Sequence, residues 1–202
     1  MKETIIVIDF ETTGLSPARG AKATEVAAVR LVDDEIVDSF HSLMQPGAFI
    51  PVEIVKLTGI TNEMVRVAPS AVSVMRQLAA FIVDAPLVAH NARFDQAFFK
   101  AEFAHANLLG HHSFACTMKL ARRIYPRAPN FKLQTILQYA DIPHGEQFHR
   151  ALSDAMATAR LWLQMKRDLC ARHRLQRLSH AQLTHLGNLP PSDITRQIET
   201  WR

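Results

Sequence analysis

No apolar run in this 202-residue chain approaches the ~18 residues that a membrane-spanning helix requires, so no transmembrane helix is expected. The amino terminus also lacks signal-peptide architecture, since Met1-Lys2-Glu3 passes straight into an apolar run; a cytoplasmic protein is the expectation. Cysteine is scarce: Cys116 and Cys170 stand far apart and outside any metal-ligand spacing. That excludes a disulfide framework and a zinc site, and both are expected as buried thiols. Internal repeats and low-complexity segments are missing too. What is present is 48% hydrophobic content, enough for one sizeable core. A formal charge of +4 and a pI near 9.3 suit a phosphate-bearing partner, although many basic proteins bind nothing anionic.

Ile5-Ile6-Val7-Ile8 is a continuous β-branched run ending at Asp9, which reads as a strand buried on both faces and central in its sheet. Glu25 to Leu31 and Ile36 to Met44 are further strand candidates, and Asp33-Asp34 between them is a turn short enough to make the pair antiparallel. Beyond Pro46 the composition turns helical over Pro51 to Leu57 and Ser70 to Val83, with a buried strand at Pro86 to Ala89. Phe94, Ala97, Phe98, Ala101 and Leu108 follow helical spacing. A strand near Phe114-Ala115-Cys116 precedes helices at about Met118 to Tyr125 and Lys132 to Ala140, separated by Pro126 and Pro129. Leu152, Ala155, Met156, Ala159, Trp162 and Leu163 form the apolar face of a long helix. Strands first, then alternating helices and strands, imply an α/β fold: an antiparallel meander continued by parallel strands, flanked by helices.

Two carboxylates, Asp9 and Glu11, leave this core together, because alternation along a strand points both to one face. Unit charges ~4 Å apart repel by about 4 kcal/mol at an effective dielectric of ~20. Such a pair holds a cation, shares a proton, or fans out into water.

The run Ile8-Asp9-Phe10-Glu11-Thr12-Thr13-Gly14-Leu15 resembles the first exonuclease motif of the DEDD superfamily. His90-Asn91-Ala92-Arg93-Phe94-Asp95 resembles the second, and His149-Arg150-Ala151-Leu152-Ser153-Asp154-Ala155 the third. Leu57-Thr58-Gly59-Ile60-Thr61 is similar to a segment of the bacterial proofreading subgroup. Family members carry either a His five residues before the last Asp or a Tyr four before it. Position 149 is His and position 150 is Arg, so the chain is identified with the DEDDh branch. It is similar there to proofreading epsilon subunits of bacterial replicative polymerases and, through Cys116 to Arg122, to stand-alone exonucleases. Two departures stand out. Many relatives have an acid where Cys116 stands, so one polar contact of the usual pattern is expected to be missing, and Arg19 to Thr24 forms a loop with two cationic residues before Glu25.

The resemblance implies a ribonuclease H-like fold and a metal-dependent 3′→5′ exonuclease with catalytic residues Asp9, Glu11, Asp95, His149 and Asp154. Two divalent cations roughly 3.5–4 Å apart can generate the nucleophile, relieve charge and stabilise the leaving oxygen in phosphodiester hydrolysis. Oxygen ligands select Mg²⁺ or Mn²⁺. Asp9 is expected to bridge both ions, Glu11 and Asp154 to complete the one beside the nucleophile, and Asp95 to act directly or through water. His149 is expected as the general base, since imidazole titrates near neutral pH. On a continuous helix, five residues at about 100° each would set His149 and Asp154 about 140° apart, so His149 is expected on a loop preceding the helix of Asp154. His111, His112 and His144 are expected to be structural.

Thr12, Thr13 and Leu15 are expected to bind the terminal nucleotide and Phe94 a base or sugar, contacts that tolerate any base. Leu57 and Thr58 are further candidates, with helix-end and core roles as the alternative. Lys119, Arg122, Arg123, Arg127 and Lys132 either follow the phosphate backbone or form a solvated helix face. The composition shifts after about Arg172, dividing the chain into an exonuclease domain, 1–172, and a helical appendage, 173–202. In the appendage Ser192 is a candidate cap for a helix with Ile194, Ile198 and Trp201 on one face, which either folds back or docks a partner. The leading expectation is trimming of single-stranded or frayed DNA 3′ ends to nucleoside 5′-monophosphates in proofreading or repair. Proofreading would need a polymerase partner. An RNA-trimming enzyme is the rival within the class, and a binding or polymerase-assembly module without catalysis is the rival outside it.

Overall fold

The computed structural model describes residues 3–144 and 149–201. Strand β1, Thr4–Thr12, pairs antiparallel with β2, Ala23–Val32, which pairs antiparallel with β3, Glu35–Leu43. The β2–β3 turn is Asp33-Asp34, both at positive φ, the backbone that a tight two-residue hairpin demands and that Asp tolerates. Helices α1 (Val52–Thr58), α2 (Asn62–Arg66) and α3 (Ala71–Ile82) follow. Strand β4, Leu87–Ala89, leads to helix α4, Arg93–His105, and β5, Phe114–Cys116, leads to α5, Thr117–Ile124. Helices α6 (Leu133–Tyr139), α7 (Ala151–His173), α8 (His180–Asn188) and α9 (Ile194–Glu199) complete the chain. The sheet order is β3-β2-β1-β4-β5, with β4 parallel to both β1 and β5, so β1 is central as expected. Helix α2 has no counterpart in the sequence reading, because five residues are too few for a periodicity signal.

Alternation along β1 separates two cores. Ile5 and Val7 join Ala27, Val29, Val88 and Ala115 beneath α5, α6 and α7, whereas Ile6, Ile8 and Phe10 join Val26, Ala28 and Leu87 beneath α3 and α4. Asp9 and Glu11 continue the odd-numbered series and therefore face the α7 side. The strand does not stop at Asp9: it runs on to Thr12, because β2 keeps pairing with it through Glu11 opposite Glu25. Helix α7 is buried over most of its length, with Trp162 among the largest fully buried side chains.

The tail packs on this core. Leu178, Leu183, Leu186 and Ile198 are buried in the cluster beneath α7, with Ile194 and Trp201 against it, so the apolar face of α9 is folded back. Asp193 rather than Ser192 precedes α9, and neither caps it through a side chain; Ser192 lies in a short 3-10 turn where its hydroxyl meets Asp193. Both cysteines are half-buried rather than buried. Cys116 sits at the N-cap of α5 without a side-chain capping bond. Among the described residues no helix is long and apolar enough to cross a membrane.

Candidate active site

Three elements deliver four acids to one cleft. Asp9 and Glu11 come from β1. Asp95 arrives through the β4–α4 turn, where Asn91 takes positive φ and reverses the chain so that the first turn of α4 points at β1. Asp95 is 2% exposed, and its Oδ1 accepts the Phe10 backbone N–H at 3.2 Å. Asp154 stands in the first turn of α7, where the helix dipole favours an anion, and its Oδ2 accepts the His149 backbone N–H at 2.8 Å. His149 lies on a bend at positive φ before α7, which is the loop that the helical geometry requires. Its exposed ring has a nitrogen within 4.8 Å of carboxylate oxygens of both Glu11 and Asp154.

These acids hold their protons strongly. Burial, followed by repulsion from Asp95, Asp154, Glu11 and Glu25, lifts Asp9 well above the usual carboxylate range. Burial and then Asp154, Glu25 and Asp95 push Glu11 up to about 8, with Arg150 opposing. Burial raises Asp95 against the hydrogen bond from Phe10, and raises Asp154 against that from His149. Every charged neighbour acting on Asp9 is an acid. Oxygen donors with uncompensated negative charge, and no thiolate among the lining residues, fit a hard divalent cation.

Glu25 and Arg150 are residues that the sequence reading passed over. Glu25, 1% exposed on β2, accepts Arg150 Nη2 at 2.8 Å, Arg150 Nε at 3.2 Å and the Ala151 N–H at 3.0 Å. This forked clamp ties the residue after His149, and the start of α7, to the strand opposite Glu11. Only the β1–β2 register could have exposed it, and no local pattern encodes that register. His90 is a second omission. Burial lowers it to about 4, and its Nε2 donates to the Phe131 carbonyl at 2.9 Å while Nδ1 meets the Thr117 hydroxyl at 2.9 Å. A neutral ring thereby pins the segment that carries Lys132 and Gln134 to the cleft.

Beside the acids the cleft, about 440 Å³, is lined by Thr12, Leu15, Leu57, Thr58 and Phe94. Leu15 is 87% exposed and Leu57 half-exposed, an apolar rim open to a base or sugar. Thr13 is not brought to the cleft: its hydroxyl accepts the Lys22 N–H and holds the loop before β2. The Thr58 hydroxyl is committed to the end of α1, donating to Ile54 and accepting from Ile60. The basic stretch is split. Lys132 reaches this cleft, Lys119 and Arg122 line a neighbouring cavity, and Arg123 donates to the Leu189 carbonyl. His112 and His144 bond backbone carbonyls of Val83 and Ile142.

Known proteins share this arrangement of sequence and fold. The PolC-type DNA polymerase III of Bacillus subtilis is 39% identical over 171 residues, covering 83% of this chain and 12% of that protein. The chain thus spans about an eighth of that relative's length. A structure of Exonuclease X in complex with 5′ overhanging duplex DNA superposes with a TM-score of 0.68 at 25% identity, covering 91% of this chain and 99% of the other. The nuclease domain of 3′hExo, a DEDDh family member bound to rAMP, gives 0.72 at 21% identity over 82% of this chain and 92% of the other, a likeness of fold. A family model described as Exonuclease matches residues 6–162, most of the length, and the chain belongs to that exonuclease family.

Proposed function

We propose that the chain is a 3′→5′ exonuclease that removes nucleoside 5′-monophosphates from DNA 3′ ends, in proofreading or repair. The observation carrying this reading is the convergence of Asp9, Glu11, Asp95 and Asp154 in one cleft, where every charged neighbour acting on Asp9 is an acid, beside the exposed ring of His149. Asp9, Glu11, Asp95 and Asp154 would hold two Mg²⁺ or Mn²⁺ ions. Bound there, the ions would activate the attacking water and neutralise charge on the scissile phosphate and leaving oxygen.

The protein's own groups do the rest. His149 takes the proton of the attacking water through its ring nitrogen, and its exposure lets that proton pass on to solvent. The Asp154 carboxylate holds the His149 backbone, and the Glu25–Arg150 clamp keeps the same segment against β2. Leu15, Leu57 and Phe94 present apolar surface to the terminal base and sugar, and the Thr12 hydroxyl, donating to the Gly14 carbonyl at 2.7 Å, shapes the loop that carries Leu15. Apolar contact and stacking accept every base.

DNA rather than RNA is supported by two of the similar proteins, a DNA polymerase and an exonuclease bound to duplex DNA, whereas the nuclease domain of 3′hExo is bound to rAMP. The test is a comparison of 5′-labelled DNA and RNA oligonucleotides of one sequence with Mg²⁺. Stepwise shortening, faster on DNA, is expected; faster RNA shortening would overturn the substrate, and no shortening with Mg²⁺ or Mn²⁺ would overturn the activity. For proofreading we propose a polymerase partner that meets residues 173–202 on their exposed side, since the apolar side packs inward. Charge reversal at Arg174 and Arg196 should then weaken co-purification with the polymerase, and unchanged recovery would refute that contact.

A further inference from the structure

A second cavity, about 470 Å³, lies beside the acidic cleft and shares Asn91 with it. Both open near the carboxyl ends of parallel strands, the crevice in which open α/β sheets commonly bind ligands: Asn91 follows β4, and Cys116 ends β5. Their charges are opposite. The acidic cleft holds Asp9, Glu11, Asp95 and Asp154 against one cation, Lys132. The second cavity is lined by Arg93, Lys119 and Arg122 and by no carboxylate.

These cations are incompletely used. Lys119 donates to the Asn188 side chain at 3.1 Å, and Arg122 lies over the Phe131 ring with a contact to the Met118 sulfur. Neither meets an acid among the described residues. Trp162 also lines the cavity while 1% exposed, and its indole N–H has no acceptor among the described residues. Three cations around a cavity lined by no carboxylate suit an acceptor-rich, anionic ligand. Helix α8 forms one wall, so the segment after Arg172 contributes to the site.

We infer that this cavity receives phosphodiester groups of the same nucleic acid whose 3′ end occupies the acidic cleft. The inference rests on the exonuclease reading and extends it. A polynucleotide presents phosphates at both openings at once: its terminal phosphodiester at the acids, and earlier phosphates at Arg93, Lys119 and Arg122. The cations and α8 thereby anchor the strand while Leu15, Leu57 and Phe94 handle only its end.

The test is fluorescence anisotropy of a labelled 12-nucleotide single strand with the full chain in EDTA, which prevents hydrolysis. The protein is the wild type, the exposed triple variant Arg93→Ala/Lys119→Ala/Arg122→Ala, or a charge-matched control, Arg66→Ala/Arg76→Ala/Arg174→Ala. Loss of three phosphate contacts should make the slope of log affinity against log salt shallower by about 2, so the deficit of the triple variant shrinks roughly 20-fold between 50 and 200 mM salt. The control should keep the wild-type slope. An unchanged slope in the triple variant, or an equal change in the control, overturns the site. Displacement of the strand by inorganic phosphate at equal phosphate concentration would also overturn it, in favour of a small-anion site. Whether the wild type shortens the same strand in Mg²⁺ reports separately on the exonuclease reading.

Discussion

Removing divalent metal should make the folded protein lose stability as pH rises from 6.5 to 8. Glu11, held near 8 by burial and by Asp154, Glu25 and Asp95, keeps its proton in the fold at a pH where the unfolded chain has lost it. Asp9 is raised by burial and by its acidic neighbours, and Asp95 by burial. A group whose folded pKa lies above its unfolded value contributes its stability at low pH and loses it as pH climbs through the folded pKa. Each extra proton held by the fold costs about 1.4 kcal/mol per pH unit over that range. One retained proton therefore predicts a loss of about 2 kcal/mol between pH 6.5 and 8, and two about 4, out of the ~5–15 kcal/mol typical of a domain. Buried His90, lowered to about 4, and His180, also lowered by burial, act with the opposite sign. Their effect falls below pH 6.5, where the unfolded imidazoles take up protons, so the window above 6.5 belongs to the acids.

Thermal unfolding in EDTA at half-unit pH steps measures this. At ~2–4 °C per kcal/mol for a chain of this size, the midpoint should fall by roughly 4–8 °C for one retained proton and roughly 8–16 °C for two. Glu11→Gln should flatten the dependence, and saturating Mg²⁺ should raise the midpoint most at pH 8, where its ligands are charged. A midpoint that is constant or rises with pH in EDTA, or a Glu11→Gln variant as steep as wild type, would refute the reasoning.

Asp9→Ala and Asp154→Ala should abolish shortening of a labelled oligonucleotide; Asp9→Ala should leave the metal-free fold at least as stable, because it removes repulsion from the cleft, whereas Asp154→Ala also strands the His149 N–H; retained activity in either would refute the metal assignment. His149→Ala should lower turnover by ~10²–10⁴-fold while Mg²⁺ still stabilises the protein. If Mg²⁺ stabilisation vanished with the ring, His149, within 4.8 Å of Glu11 and Asp154, would be a ligand rather than a base. Glu25→Ala strands the Ala151 N–H and the Arg150 guanidinium, which is a third exposed and so partly compensated by water. A loss of about 2–4 kcal/mol in urea unfolding is expected, larger in Mg²⁺ than in EDTA because the metal-free cleft gains by losing a negative neighbour. Equal stability of Glu25→Ala and wild type would dismiss the clamp.

Local sequence was sufficient for the features that rest on short-range rules. The β-branched run of β1, the Asp33-Asp34 hairpin, the proline breaks after α5 and the apolar face of α7 follow from alternation, turn chemistry and helical period. The bend at His149 also follows, since a helix through residues 149–154 would point the two side chains apart. Motif order singled out Asp9, Glu11, Asp95, His149 and Asp154, although nothing local states that β1, α4 and α7 meet. That meeting was decided by tertiary structure, because the odd-numbered face of β1 lies under α7 and Asn91 turns α4 toward Phe10. So was the Glu25–Arg150 clamp, whose partners stand 125 residues apart and meet only through the pairing of Glu11 with Glu25. Thr13, placed in the site by its motif, instead holds Lys22, and Ile194, Ile198 and Trp201, equally able to dock a partner, pack inward. Period and composition specify which face of an element is apolar; what covers it, and which polar groups then find each other, depends on how distant segments pack.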